Sequence, residues 1–282
     1  MTAPPYRRVF AVTSAGRTLR VAADGGLTDF WPHIAPHLPG VRPSLPLEPV
    51  DGPADTVLPY GLSVGDSRRL INACLHVLHL GHGTLCSHAV ALHRDGCGAV
   101  LLLGGHGAGK TLTAIALVAR GWRVMAGDVA LLDAEQVTVL GGTAAFLVRR
   151  RSARRWFPEL DLTPSGSEKV DLGPEWTSPV EQPVPMVAAV SVQVGEAVGV
   201  LEEIDAHTAQ TLWLRASGHL LDRILDGSEI VLRSLEDGSA TRRRLNLVRT
   251  LTAQMPVYMA LGSPADIAKR VEHLAIRREG TA

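Results

Sequence analysis

Eight consecutive residues, Gly104-Gly105-His106-Gly107-Ala108-Gly109-Lys110-Thr111, fit the spacing G-x-x-x-x-G-K-[ST]. Glycines at these positions let successive backbone N–H groups turn inward, and a helix starting at the lysine adds the positive end of its dipole, so the segment suits phosphate. In that chemistry Lys110 reaches the terminal phosphates of a nucleotide such as ATP, and the Thr111 hydroxyl ligates Mg2+. Only three lysines occur, Lys110, Lys169 and Lys269. At this chain's composition the pattern is expected by chance about 0.003 times. A strand-to-helix turn that binds nothing is correspondingly disfavoured, but the loop by itself points to a nucleotide and not to a reaction.

A second chemical group follows. Asp128 ends the next apolar stretch, where a carboxylate can face the γ-phosphate and accept a hydroxyl proton; a turn or cap aspartate is the plainer alternative. Arg149-Arg150-Arg151-Ser152-Ala153-Arg154-Arg155-Trp156 is a solvated helix face, or a clamp for phosphate or an acidic peptide. Cys74, His76, His79, His82, Cys86, His88, His93 and Cys97 invite a zinc interpretation, yet their spacing fits no closed Cys/His pattern and several would leave different faces of a helix and two strands. Apart from His88, they are expected to be core and loop residues, and His106 a tolerated variable position within the glycine loop.

These residues need elements to hold them. Alternation predicts strands over 8–12 and 17–21, followed by a proline-rich stretch, 32–59, where little regular helix fits. Asp66 is expected to cap a helix through Leu70, Ile71, Cys74, Leu75, Val77 and Leu78, with Gly81 or Gly83 ending it. Apolar runs 84–92 and 99–103 flank the turn-like Arg94-Asp95-Gly96, which predicts a hairpin feeding the glycine loop. Helical periodicity over 111–120, a stop at Gly121 and a strand over 122–126 complete a βαβ unit. Strands are predicted over 129–132, 137–140, 187–194 (after a linker at 179–185) and 257–261, and helices over 206–225 and about 239–253. A last helix carries Ser263 as N-cap, Pro264 in its first position and Asp266 in its first turn. The domain reading is a β-containing N-terminal module with an irregular Pro-rich segment, 1–65, and a larger domain, 66–282.

Of the 282 residues 46% are hydrophobic and 20% charged, which is a folding composition. Lys+Arg and Asp+Glu both number 28, so no net charge attracts nucleic acid or an anionic membrane surface, and neither is expected as a partner. The N-terminus leads into no signal-like apolar stretch and no apolar run reaches spanning length, so a cytoplasmic protein is expected. Three cysteines, an odd number, favour reduced thiols.

The run from His88-Ala89-Val90-Ala91-Leu92 through the loop to Arg120-Gly121-Trp122-Arg123-Val124-Met125-Ala126-Gly127-Asp128 resembles the kinase domain of bacterial HPr kinase/phosphorylases. Among these it is most similar to the shorter HPr-kinase-like proteins that accompany peptide natural-product genes. The close similarity covers about fifty residues, and a looser one extends toward residue 275. The resemblance implies an α/β fold with a P-loop kinase core, a mixed sheet flanked by helices. It also implies a catalytic set of His88, Lys110 and Asp128, with Thr111 on Mg2+. The implied activity is transfer of the γ-phosphoryl group of ATP to a Ser or Thr hydroxyl of a peptide or small protein. A small-molecule hydroxyl acceptor and a nucleotide-binding accessory module with little catalysis remain alternatives, and a homo-oligomer stays open. Two departures bear on substrate: the family's Asp-Asp pair is Gly127-Asp128, and its acidic glycine-rich signature is replaced by the arginine run.

Overall fold

Alternating burial folds Arg8–Ser14 (β1) and Arg17–Ala23 (β2) into an antiparallel hairpin. Its two-residue turn holds both Ala15 and Gly16 at positive φ, 45° and 77°, which matches the right-handed twist of the strands. The structure, a computed structural model, describes residues 7–162, 167–178, 182–197 and 199–279. Helix α1, Gly26–Ile34, runs through Pro32, against the expectation of little helix there. Pro32 sits in the last turn on the exposed side, and burial of Leu27, Trp31 and Ile34 on one stripe offsets the missing hydrogen bond. A 3-10 turn, Ala35–His37, and the short strand Thr56–Val57 (β3), parallel to β2, follow.

Helix α2, Val64–Gly81, starts one turn earlier than expected. Its cap is Ser63, whose hydroxyl accepts from the Asp66 N–H at 3.0 Å, which leaves Asp66 as a wholly buried first-turn carboxylate. Leu70, Ile71, Ala73 and Leu75 of α2 share one apolar cluster with Phe10, Val12, Trp31 and Ile34, so the N-terminal module packs on the rest of the chain through this helix.

The opposite side of α2 buries His76 and His79. Ser14 donates its single hydroxyl proton to Pro39 O at 2.6 Å, so His79 Nε2–H donates to Ser14 Oγ, 2.7 Å away. Both His76 ring nitrogens lack a hydrogen-bond partner among the described residues. Burial pushes both imidazoles from 6.5 down to about 4. Both are therefore neutral in the folded chain and protonate more readily when it unfolds. Stability is expected to be intact above pH 6.5 and to decline by roughly 3 kcal/mol per group as pH falls toward 4, read by denaturant unfolding at pH 7, 5.5 and 4.5.

The central sheet is mixed. The apolar run expected as one strand over 84–92 divides at His88 into β4, Thr84–Ser87, and β5, Val90–Arg94, because β4 pairs with a different neighbour. β5 forms the expected hairpin with β6, Gly98–Leu103, which runs into the glycine loop and helix α3, Lys110–Val118. The next strand, β7 (Arg123–Ala126), adds to the other edge of β5, so β6 and β7 are parallel with β5 between them. β8 (Ala130–Asp133) and β9 (Thr138–Gly142) form a hairpin that also pairs with β4. A two-stranded ribbon, β10 (Leu147–Arg149) and β11 (Lys169–Asp171), embraces helix α4, Arg150–Trp156.

Strand β12, Val184–Val194, begins before the expected residue 187 and lies parallel to β6 on one edge. The other edge takes β9 at Val184–Pro185 and, further along, β14 (Val257–Gly262), itself paired with β13 (Val200–Glu203). Of the expected linker over 179–185, residues 179–181 lie outside the described residues. Helix α5 is Ala206–Gly218, not 206–225, and α6, Gly238–Gln254, and α7, Pro264–Glu279, complete the chain. The Ser263 hydroxyl accepts from Asp266 N at 3.1 Å as expected of an N-cap. β6 is apolar throughout because it is covered twice. Val100 and Leu102 meet Ile115, Leu117 and Val271 of α3 and α7, whereas Leu101 and Leu103 lie with Trp213, Val248 and Leu251 of α5 and α6. No helix among the described residues is long and apolar enough to cross a membrane.

Candidate functional site

The glycine loop keeps its shape through backbone geometry. Gly104, Gly107 and Gly109 take φ of 137°, 77° and 100°, a region that favours glycine. A Cβ on Gly109 would stand 2.3 Å from Val194 Cγ2, so the loop lies directly against β12, and Val194 N donates to Ala108 O at 2.8 Å. The chain then enters α3 with first-turn N–H groups open to the cleft, the geometry that receives anions. Lys110 is buried and donates to Gly104 O at 2.8 Å and to Gly105 O at 3.3 Å. Burial lowers its pKa from 10.5 to about 8, and the negative charge of Asp128 opposes that shift.

Asp128 follows β7 and is fixed through its backbone. Thr143 Oγ1 accepts from Asp128 N at 2.9 Å and from Val129 N at 3.1 Å, while Thr143 O accepts from Gly127 N at 2.9 Å. The N-terminal module braces this turn, since Pro36 O accepts from Ala145 N at 2.8 Å. The Asp128 side chain is 52% exposed at the cleft wall, and its Oδ1 lies 3.3 Å from His88 Nε2. Desolvation pushes this carboxyl up, but the hydrogen bond and attraction of His88 and the charge of Lys110 outweigh it and hold it well below the usual range. It is a carboxylate across the physiological range.

His88 occupies the break between β4 and β5, where its N–H donates to Ala216 O of α5 at 2.9 Å. The break turns its ring into the cleft. Its Nε2 lies 3.3 Å from Lys110 Nζ and 3.3 Å from Asp128 Oδ1. One nitrogen thus faces a group that only donates and a group that only accepts, so it meets Lys110 when bare and Asp128 when protonated. His219 stacks on His88 with centroids 3.8 Å apart, and His106 packs near both at 5.3 and 5.0 Å. Burial, then the charges of His88 and Arg223, push His219 down to about 3. Arg223 donates to His219 Nε2 at 2.8 Å, which leaves the ring proton of this neutral imidazole on Nδ1.

The cleft encloses about 360 Å³ and brings together His88, Gly105, His106, Gly107, Gly109, Lys110, Thr111 and Asp128 of the expected set. Gly104 reaches the site through its carbonyl on Lys110, and Ala108 ties the loop to β12. His106, expected to be a tolerated variable position, lies within ring contact of two other imidazoles. Sequence reasoning missed His37, Arg68, Asn72, Lys169, His219 and Arg223, which line the same cleft. His219 and Arg223 fall beyond the true end of α5 at Gly218. The arginine run divides: Arg149 and Ser152 line the cleft, whereas Arg155 pairs with Glu196 at the surface at 2.5 Å.

The oxygen donors on the cleft wall include the Thr111 hydroxyl and the Asp128 carboxylate, a pair suited to a hard cation such as Mg2+. Among the described residues no group of three or more His, Cys, Asp or Glu stands ready to hold a metal ion, so such a cation would share its shell with phosphate oxygens of a ligand. Cys74 lies 3.5 Å from Thr56, Cys86 is buried in β4, and Cys97 meets the Arg94 guanidinium at 3.2 Å. No family model matches this chain, and no curated protein matches it.

Proposed function

We propose that the chain is an ATP-dependent kinase with a P-loop core of HPr-kinase type, transferring the γ-phosphoryl group to a Ser or Thr hydroxyl of a peptide or small protein. The observation that carries this reading is the convergence of the glycine loop, buried Lys110 and an ionised, accessible Asp128 on one cleft. Asp128 takes the acceptor's hydroxyl proton as that oxygen bonds to phosphorus, and the bond to the bridging oxygen of ADP breaks. Lys110 and the loop N–H groups stabilise the charge that develops on the transferred group. His88, beside both, holds the carboxylate in place and exchanges protons with it. Thr111 would hold Mg2+, which supplies charge neutralisation on the phosphates.

Transfer of label from γ-labelled ATP into a panel of Ser- and Thr-containing peptides is the expected result, with loss of transfer in Lys110→Ala. ATP binding without hydrolysis or transfer across the panel would overturn the kinase reading. Label appearing only in small hydroxyl compounds would overturn the acceptor class.

The Lys110 ammonium makes ATP binding pH-dependent. Its pKa of about 8 means that the free protein loses this charge above that pH. The Kd for ATP is expected to be flat between pH 6.5 and 7.5 and to rise about tenfold per unit well above pH 8, measured by calorimetry.

A further inference from the structure

Two guanidinium groups in the cleft, those of Arg68 and Arg223, have no carboxylate partner among the described residues. Asp128 is the one carboxylate on the described wall of the cleft, and it is engaged by His88. Burial and the charges of Arg69 and Arg223 work against the charged form of Arg68, and the negative charge of Asp128 offsets them only in part. Holding two such groups together, partly buried, is costly unless an anion joins them.

The fold holds them there with dedicated contacts. Asp66 is 0% exposed and accepts from Asp226 N at 3.1 Å and Gly227 N at 3.0 Å. Arg69 binds Asp66 at 2.7 Å, Asp226 at 2.8 Å and the Ile224 carbonyl at 3.1 Å. Asn72 donates to His37 O at 3.2 Å. Residues 66, 69 and 72 recur at helical spacing, so one stripe of α2 clamps the segment after α5 on one side and the 3-10 turn on the other. Arg68, next to that stripe, and Arg223, within the clamped segment, are brought to one wall of the cleft. The loop amides, Lys110 and Arg149 already provide for a polyphosphate, and Arg149 Nη1 lies 3.8 Å from where a Gly107 Cβ would be. Arg68 and Arg223 are cationic capacity beyond that.

We propose that Arg68 and Arg223 form a second anion subsite that seats a carboxylate or phosphate borne by the acceptor close to its reactive hydroxyl. The acceptor is then an anionic hydroxyl compound, and in a peptide the target Ser or Thr has an acidic or phosphorylated neighbour. This rests on the kinase reading for its meaning, but the anion site itself does not.

The full chain, saturated with Mg2+ and a non-hydrolysable ATP analogue, is titrated with inorganic phosphate and, separately, acetate. Wild type is expected to bind one further anion; the better ligand of the two identifies a phosphate or a carboxylate as the natural group. Arg68→Ala and Arg223→Ala are each expected to weaken this binding at least tenfold while keeping analogue affinity within twofold. Arg68→Lys, which keeps charge but loses the planar fork, is expected to fall between. Absence of the second anion in wild type overturns the proposal. So does an equal loss of analogue affinity in both alanine variants, which would assign the arginines to the nucleotide. Repeating the phosphate titration on Lys110→Ala separates the two readings. A subsite that persists there, in a chain whose wild type binds no analogue, overturns the kinase reading and leaves the anion site standing.

Discussion

Asp128→Asn is expected to lower phosphoryl transfer by about 10² to 10⁴ while leaving the Kd for ATP within about threefold at pH 7. Asparagine has the size of aspartate and can keep a contact with His88, but it cannot take a proton from the acceptor. The Asp128 carboxyl is held well below the usual range by the His88 hydrogen bond and nearby positive charge, despite its desolvation. The wild-type rate should consequently show no acid limb from this group between pH 5 and 7. Removing the carboxylate also removes the charge that supports protonated Lys110, so the pH above which ATP binding weakens should move below about 8. Single-turnover rates and calorimetric Kd values on the same samples check both parts. Near wild-type transfer would overturn the base assignment.

The second large effect concerns Gly127. A Cβ at this position would lie 2.1 Å from Ala145 O and 2.9 Å from Phe146 Cα, both backbone atoms. Those atoms have little freedom, since Ala145 N donates to Pro36 O at 2.8 Å and Phe146 N to Asp171 Oδ1 at 3.1 Å. Gly127→Ala is expected to destabilise by about 3 kcal/mol, which is roughly 5 °C in Tm for a chain of this length. Gly105→Ala, whose Cβ would meet nothing within 4 Å, is the control and should shift Tm by less than about 1 °C. Gly127→Asp, which would create the paired aspartates of the resemblance, should be at least as destabilising as Gly127→Ala. Close chain packing beneath the turn thus leaves no room for a side chain at position 127.

What the sequence disclosed, and what it withheld, follows from how local each feature is. The glycine loop was legible because its backbone path, with Gly104, Gly107 and Gly109 at positive φ, favours glycine. The β5–β6 hairpin and α3 were legible because a turn or a period fixes them over a few residues. His88 was placed by similarity alone, and its orientation depends on a break between β4 and β5 that exists because the two strands pair with different neighbours. Arg68 was invisible for another reason. With Asp66 assigned as a cap, α2 began too late, and nothing local shows that the true cap is Ser63 and that Asp66 reaches across to residues 226 and 227. His219 and Arg223 were hidden by an apolar pattern that continues past Gly218, because Leu220, Leu221 and Leu225 are buried by packing against other elements. The short strands β10, β11 and β13 have three or four residues each, too few for alternation to register.

The bond between Pro36 O and Ala145 N makes residues 7–40 a support for a turn, and for the Asp128 carboxylate on it, that the chain supplies some ninety residues later. A protein shortened to begin at residue 66 would keep the glycine loop, Lys110 and Asp128, yet lose the carbonyl bracing the Asp128 turn, the His37 flank and the apolar cover of α2. Swapping this end between related chains to change acceptor preference would therefore exchange a wall of the cleft together with its support, and the two would have to be moved as one unit.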